Sequence, residues 1–441
     1  LYAFENGNTG DIFVQKAPST TIGELAKTMK RIYSSNSEIK NIGIRHGEKI
    51  HETLLSKEER LISEDLGSYF RIPADNRDLN YEKYFSKGMQ SSQMEEFNSY
   101  NTVRLKEKEL IELCNKYRSK DGSYDCIVPG SGGKDSAMQA HLLKYKYGMN
   151  PLTVTFSPLL YTEEGLKNMN NWIDIGGFDN ILFKANGKVA KILAKEAFDN
   201  ILHPLQPFKF GLKVFPIKIA IKFNIDLVFY GEPRSEYGSE DAKKVEKPGF
   251  GEEFYSIKKD IGETYIAGIP VNKLQSKYKL SKNDLEPYTA VNHEMIKDKK
   301  IVVDNLGWYI KWDPQSAYYY AVENCGFEAD TRRTEGTYGK YSGIDDKFDA
   351  LHYFCHYIKF GIGRTRFDAS QEIRNGHIDR EEAILLAKKF EGEFPKRYFK
   401  EYLSYLNITE KYFWNKIDQF RSPHLWTLQN GEWVLHQEIE E

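Results

Sequence analysis

Cysteine is scarce. The 441-residue chain carries four cysteines, Cys114, Cys126, Cys325 and Cys355, with no CxxC pair among them. That excludes a disulfide framework and makes a reducing compartment, hence a cytoplasmic location, the simplest reading. Long apolar runs are missing too. No stretch approaches the ~18 residues of a membrane helix. The best, residues 214–223, is cut by Pro216, Lys218 and Lys222. No signal-peptide pattern is present. Charge of one sign is not in excess: 62 Lys and Arg face 64 Asp and Glu, a net −2. The balance excludes a wholesale basic coat for nucleic acid, though not a local basic patch.

What is present points to a large globule. Hydrophobic residues make up 40% and charged residues 29%, enough for a sizeable core and too apolar for global disorder. At about 150 residues per domain, two or three domains are expected. The first segment reads as α/β. Asp11-Ile-Phe-Val14 looks like a short strand, and Thr21-Ile-Gly-Glu24 is a capping box. In such a box hydroxyl and carboxylate satisfy free amides at a helix start. Ile22, Leu25, Met29 and Ile32 follow at helical spacing. A strand at 42–44, a charged helix at 56–65, an irregular stretch at 69–84, a polar arm at 86–103 and a charged helix at 104–117 complete this part.

After residue 119 strands and helices alternate. Strands are expected at 124–128, 152–156, 180–183 and 225–230, with helices at 136–147 and 188–202. That pattern predicts a parallel sheet covered on both faces. Beyond 310 the chain reads as mainly helical.

The strongest local signal is Pro129-Gly-Ser131-Gly132-Gly133-Lys134-Asp135-Ser136, between a strand and a helix. Glycines allow a tight turn with amides facing a ligand, and the helix start adds partial positive charge, so the turn is a phosphate cradle. Ser131, Ser136 and Lys134 add donors. Asp135 cannot favour a phosphate directly; it would hold Mg²⁺ or orient the lysine. The loop is neither a Walker A motif nor GxGxxG. The bland reading is a glycine-rich turn without a ligand.

The SGGKDS string resembles the PP-loop of ATP pyrophosphatases, which cleave ATP to AMP and pyrophosphate. Other strings narrow the resemblance: Lys116-Tyr-Arg-Ser-Lys-Asp-Gly-Ser-Tyr-Asp-Cys-Ile-Val128, Gly231-Glu232 with Glu236-Tyr237-Gly238, Leu306-Gly-Trp-Tyr-Ile-Lys-Trp312, Arg333-Thr-Glu-Gly-Thr-Tyr338, Ile358-Lys-Phe-Gly-Ile-Gly-Arg364 and Asp368-Ala-Ser-Gln-Glu-Ile-Arg-Asn-Gly376. Over roughly 112–441 the chain resembles the N-acetyl sugar amidotransferases of bacterial surface-polysaccharide and pseudaminic-type sugar synthesis. The resemblance implies an adenine nucleotide alpha hydrolase-like, doubly wound sheet. It implies conversion of a sugar acetamido to an acetamidino group with ATP, Mg²⁺ and ammonia. It also implies glutaminase and cyclase-like subunits that supply the ammonia, with no nucleic acid and no membrane insertion. Ser131, Gly132, Gly133, Lys134 and Ser136 would hold pyrophosphate, and Asp135 would sit near Mg²⁺. Lys134, Asp135 and Glu232 are the catalytic candidates. Glu232, at the carboxyl end of a strand, is either a second metal or substrate contact or a solvated carboxylate. Arg364 and Arg366 either pair with a substrate diphosphate or form surface ion pairs. His352 and His356, at i and i+4, are a weak candidate metal pair without the glutamate of HExxH. The Tyr318-Tyr-Tyr320 run reads as core.

The first 111 residues resemble something else. Gly10-Asp-Ile-Phe-Val-Gln-Lys-Ala-Pro18, Arg45-His46-Gly-Glu-Lys49 and Phe70-Arg-Ile-Pro-Ala-Asp-Asn-Arg-Asp-Leu-Asn-Tyr81 look like the C-terminal part of a UDP-N-acetylglucosamine 4,6-dehydratase/epimerase. Arg45 and His46 read either as relics of a nucleotide-sugar site or as an ordinary surface turn. This tail lacks the GxGxxG turn and a Rossmann first half, so no NAD is expected. The cysteine-bearing segment that usually opens the amidotransferases is also missing. The chain starts at Leu1, not Met, which fits either an artificial start or a gene fusion that kept a fragment. The expected organisation is an incomplete α/β tail (1–111), a PP-loop ATP domain (112–310) and a mainly helical closing domain (311–441). Two other functions compete: a PP-loop tRNA thiolation enzyme, and a non-catalytic nucleotide-sugar-binding remnant. The sugar, its carrier and the oligomeric state are not legible.

Overall fold

The computed structural model describes residues 2–8, 11–17, 19–40, 53–73, 97–98, 105–233, 249–258, 260–296, 299 and 301–436. The chain divides into two compact units, Leu1–Leu113 and Cys114–Glu441.

In the first unit, β1 (Ile12–Gln15) pairs antiparallel with β3 (Tyr69–Ile72), which pairs with β2 (Glu64–Asp65). The stretch expected to be irregular therefore begins with the central strand of this sheet. Helix α1 (Ile22–Ile32) starts at the expected capping box: Glu24 N donates to Thr21 Oγ1 at 3.2 Å, and Thr21 N to Glu24 Oε2 at 3.4 Å. Its apolar stripe is nevertheless exposed, Ile22 at 83% and Ile32 at 67%. Spacing creates a face suited to burial but cannot supply what covers it. Among the described residues of this unit, Leu55, Phe70 and Ile72 form a buried cluster with Val14 against it.

In the second unit five strands form one parallel sheet: β4 (Cys126–Pro129), β5 (Pro151–Phe156), β6 (Asn180–Phe183), β7 (Leu227–Tyr230) and β8 (Val302–Asn305), in the order β8-β7-β4-β5-β6. Every residue of β5 is buried, as expected for a strand covered on both faces. The fold is thus α/β with a parallel sheet, as expected, and the C-terminal part is mainly helical. Strand β8 was not anticipated, because its second half is the polar pair Asp304-Asn305. Chain order runs outward from β4 to β6 and then resumes on the other side at β7. The direction of winding reverses between β4 and β7, and such a reversal opens a crevice at the carboxyl ends of the strands.

Local chemistry explains two departures from regularity. The helix expected at 136–147 begins earlier, as α4 (Lys134–His141), and widens to a π-turn over Leu142–Lys146. Helix α7 (Gln206–Phe223) contains Pro216. A proline has no N–H for the carbonyl four residues back. Here that carbonyl, Leu212 O, accepts from Tyr230 Oη at 3.3 Å, and Lys213 O accepts from the same hydroxyl at 2.9 Å.

Candidate active site

The loop after β4 lies at the winding reversal. Gly132 has φ +82°, and a Cβ there would meet Met169 Cα at 2.6 Å. A Cβ on Gly130 would meet Ser136 Cβ at 2.4 Å and Trp172 at 2.7 Å. Both glycines are therefore required by close packing against α5 (Glu163–Asp174) and α4. Gly133 caps α4 without a side-chain bond, and the first amides of a helix have no intrahelical acceptor, so they can meet an anion. Ser136 Oγ donates to Gly133 O at 2.9 Å, closing the turn.

Lys134 is 5% exposed, and its Nζ lies 2.6 Å from Asp135 Oδ2. Asp135 is thus turned onto the lysine. Its other oxygen, Oδ1, is buried without a hydrogen-bond partner. An orphaned carboxylate oxygen beside a glycine-rich turn and a helix start fits a divalent cation, which prefers oxygen ligands and commonly completes its shell with phosphate and water. Glu232 follows β7 across the crevice. Its backbone is fixed by Asn305 Nδ2, which donates to Glu232 O at 2.8 Å, and by Gly307 N, which donates to Gly231 O at 2.8 Å. Gln139 of α4 donates to Phe229 O at 2.6 Å and ties the two sides together.

These groups line one cavity of about 610 Å³, together with residues from the C-terminal part. Tyr341, Asp345, Asp346 and Asp349 form part of its wall. Asp346 is fixed from both sides: Leu159 N donates to its Oδ2 at 2.8 Å and Phe348 N to its Oδ1 at 2.9 Å. Burial pushes its carboxyl up to about 7 against those two bonds. Burial also raises Asp345, whose side chain hydrogen-bonds Ser131. Gly165 lets this segment approach; a Cβ there would meet Asp345 Cα at 2.5 Å.

Arg364, at the start of α10 (Arg364–Asn375), is buried and lines the cavity. It pairs with Asp349 of α9 (Asp349–Phe360) and, at 3.5 Å, with Asp368, and its guanidinium lies 4.5 Å from the centre of the Tyr353 ring. Burial works against its charge, but the two carboxylates outweigh burial and hold the group above its ordinary value. Arg366 faces elsewhere: it pairs with buried Glu391 at 3.2 Å and does not line the cavity. The structure therefore brings Ser131, Gly133, Lys134, Asp135, Ser136, Glu232 and Arg364 to one space, with Gly132 buried behind the loop, and leaves Arg366 out. Arg45, His46 and the 236–238 string lie outside the described residues.

His352 and His356 also line the cavity. Lys209 Nζ is 3.1 Å from His352 Nε2, and the His203 ring stacks on His352 with centroids 4.4 Å apart. His356 Nδ1 is 2.7 Å from Ile362 O. Among the described residues no group of three His, Cys, Asp or Glu could hold a metal, and the surroundings of His352 are cationic. The metal-pair reading therefore finds no third ligand.

Sequence reasoning missed Lys209, Tyr341, Asp345, Asp346 and Asp349. The run Ile344-Asp-Asp-Lys-Phe-Asp349 carries three acids in five positions, a visible signal, whereas Lys209 had none.

Residues 335–440 match the family described as "LPS biosynthesis protein WbpG-like, C-terminal domain". Residues 1–74 match "Polysaccharide biosynthesis protein", and residues 75–117 its C-terminal family. The N-terminal segment is 54% identical over 114 residues to the UDP-glucose 4-epimerases of Rickettsia felis and Rickettsia rickettsii, covering 26% of this chain and 33% of theirs. The chain thus spans about a third of the length of the curated relatives it matches. Among solved structures, the NH3-dependent NAD synthetase of Campylobacter jejuni matches 42% of this chain and 77% of its own, at 13% identity and a TM-score of 0.25. The NMN synthetase of Francisella tularensis matches 41% and 72%, at 13% identity and 0.23. At such scores the fold statement rests on this chain's own sheet order. The N-terminal resemblance stands at the level of a polysaccharide-biosynthesis fragment, and the C-terminal one at the level of an LPS-biosynthesis domain.

Proposed function

We propose that the chain is an ATP-dependent N-acetyl sugar amidotransferase of bacterial surface-glycan synthesis. It converts a sugar acetamido group to an acetamidino group and releases AMP and pyrophosphate. The observation that carries this reading is the cradle at the winding reversal: uncapped helix amides, buried Lys134, and the orphaned Oδ1 of Asp135, all opening on one cavity. The LPS-biosynthesis match of residues 335–440 supports the sugar half of the reading, because Asp345, Asp349 and Arg364 of that region line the same cavity.

The chemistry suits the groups present. An amide carbonyl is a poor electrophile, and its oxygen leaves poorly. Attack of that oxygen on the α-phosphorus of ATP expels pyrophosphate and leaves AMP on the oxygen. Ammonia then adds to the carbon, loses a proton, and the C–O bond breaks with AMP departing. Catalysis is mainly positioning and charge stabilisation. The amides of Gly133 to Ser136 and the Lys134 ammonium would hold the β- and γ-phosphates. Asp135 would hold Mg²⁺, which supplies neutralisation of phosphate charge. Glu232 faces this group across the crevice, as a substrate or second cation contact. Partner subunits resembling a glutaminase and a cyclase would deliver the ammonia.

Burial of all four cysteines speaks against the thiolation alternative. Burial pushes the Cys114 thiol up to about 11 and those of Cys325 and Cys355 to about 12, so no thiolate is poised for sulfur transfer.

The test is a product analysis with ATP, Mg²⁺, ammonium and a panel of UDP-N-acetyl sugars. The expected product is a sugar lighter by the exchange of O for NH, formed with one AMP per turnover. An unchanged sugar across the panel, with ATP consumed to ADP, would refute the reading.

A further inference from the structure

The cavity has a second wall unlike the first. Lys209 of α7 and His352 of α9 face each other there, Nζ to Nε2 at 3.1 Å. His203 stacks on His352, and its Nδ1 is buried without a hydrogen-bond partner. His356 lies one turn beyond His352 on the same helix and also lines the cavity. Among the described residues, none of these four groups makes an ion pair with a carboxylate. The carboxylate that acts on Lys209 electrostatically is Asp349, and Asp349 is already engaged by Arg364.

A part-buried ammonium whose hydrogen-bond partner is a neutral imidazole is a poorly compensated charge. Burial, and then the Lys209 charge, push the His352 imidazole well below its ordinary range. The same two causes take His203 down to about 3. Burial pushes Lys209 down as well, with Asp349 acting the other way, and an anion in the cavity would compensate the ammonium.

We propose that Lys209 and His352, on which His203 stacks, form an anion subsite that receives the charged part of the sugar substrate. That group is either the diphosphate of a nucleotide-linked sugar or the carboxylate of a sugar acid. The proposal rests on the sugar reading above and narrows it: neutral, unlinked N-acetyl sugars are not the substrate class. Arg364, by contrast, is neutralised by Asp349 and Asp368 and serves as structure.

The experiment is a titration of the full chain carrying ¹⁵N-labelled histidine, followed by the imidazole signals. The His352 signal is identified by its absence in His352→Gln. The probes are UDP, an N-acetylated hexuronic acid, neutral N-acetylglucosamine and ATP. The expected result is that UDP or the hexuronic acid moves the His352 signal saturably and N-acetylglucosamine does not. A response to UDP assigns the diphosphate, and a response to the hexuronic acid assigns the carboxylate. In Lys209→Met, checked for an unchanged melting transition, that affinity falls about tenfold or more while ATP affinity is kept. Where Lys209→Met does not fold, Lys209→Gln takes its place, and the titration of the parent decides by itself. The proposal is overturned when neither anion moves the signal. It is equally overturned when ATP moves it and Lys209→Met loses ATP affinity in parallel, since the group then belongs to the nucleotide site. AMP formation is measured separately, so a filled subsite without turnover would sink the amidotransferase reading and leave the subsite standing.

Discussion

The two units contrast in what specifies them. The first is 54% identical over 114 residues to known epimerases; among its described residues Leu55, Phe70 and Ile72 form a small buried cluster, and the apolar stripe of α1 is exposed. The second has a continuous core from Ile127 to Trp426, in which Phe198, Phe348, Tyr402 and Phe413 are fully buried. Likeness in sequence does not predict how a helix face is covered. The described part of the first unit leaves the face of α1 open; the second unit buries a continuous core and holds the cavity.

Four substitutions sharpen or break that contrast. The largest effect belongs to Arg364→Met, which removes a buried cation and leaves the largely covered Asp349 and Asp368, 20% and 23% exposed, without it. Unfolding of the second unit in denaturant should become easier by about 3–5 kcal/mol, and an unchanged midpoint would mean the pair is solvated. Gly132→Ala forces a Cβ against the Met169 backbone at a left-handed φ. It should cost about 1–3 kcal/mol in the same transition and weaken ATP binding, read by calorimetry. A loss of ATP binding with no loss of stability would contradict the packing role.

The third prediction concerns pH. Asp346 has an ordinary carboxyl value of 3.8 that burial raises to about 7. The unfolded chain releases this proton before the folded chain does. Its contribution to stability is therefore fully present below pH 3.8 and lost as pH rises through 7. Asp346→Asn should cost more at pH 5 than at pH 7.5 in denaturant melts, and an equal cost at both would refute the assignment. The smallest effect is Thr21→Ala, which removes the capping hydroxyl of α1 at about 1 kcal/mol. Hydrogen exchange should quicken in α1 alone, with no change in the 114–441 unit; a response there would erase the contrast.

Legibility followed range along the chain. The turn at 131–136 is one local string, and its place between a strand and a helix is therefore legible. The capping box at Thr21 was legible for the same reason. Helix α5 escaped notice because Thr162 caps it with Gly165, not Glu or Gln, at the third position. That glycine is needed elsewhere, for the approach of Asp345. Strand β8 hid behind Asp304 and Asn305, polar residues whose partners are Tyr309 Oη at 2.7 Å and Glu232 O at 2.8 Å. The acidic wall was missed because Asp346 reaches the site through a bond to Leu159, 187 positions away. No local pattern records such a partner. Lys209 sits on an apolar helix and acquires meaning only from His352.

The most direct test is the nucleotide released by the full chain, followed by ³¹P NMR with UDP-N-acetyl sugars and ammonium, beside Lys134→Ala. The account predicts AMP and pyrophosphate, dependent on both sugar and ammonium, and a fall of about 10²–10³-fold in the variant. Release of ADP and phosphate, or AMP formation that ignores the loss of Lys134, would contradict it.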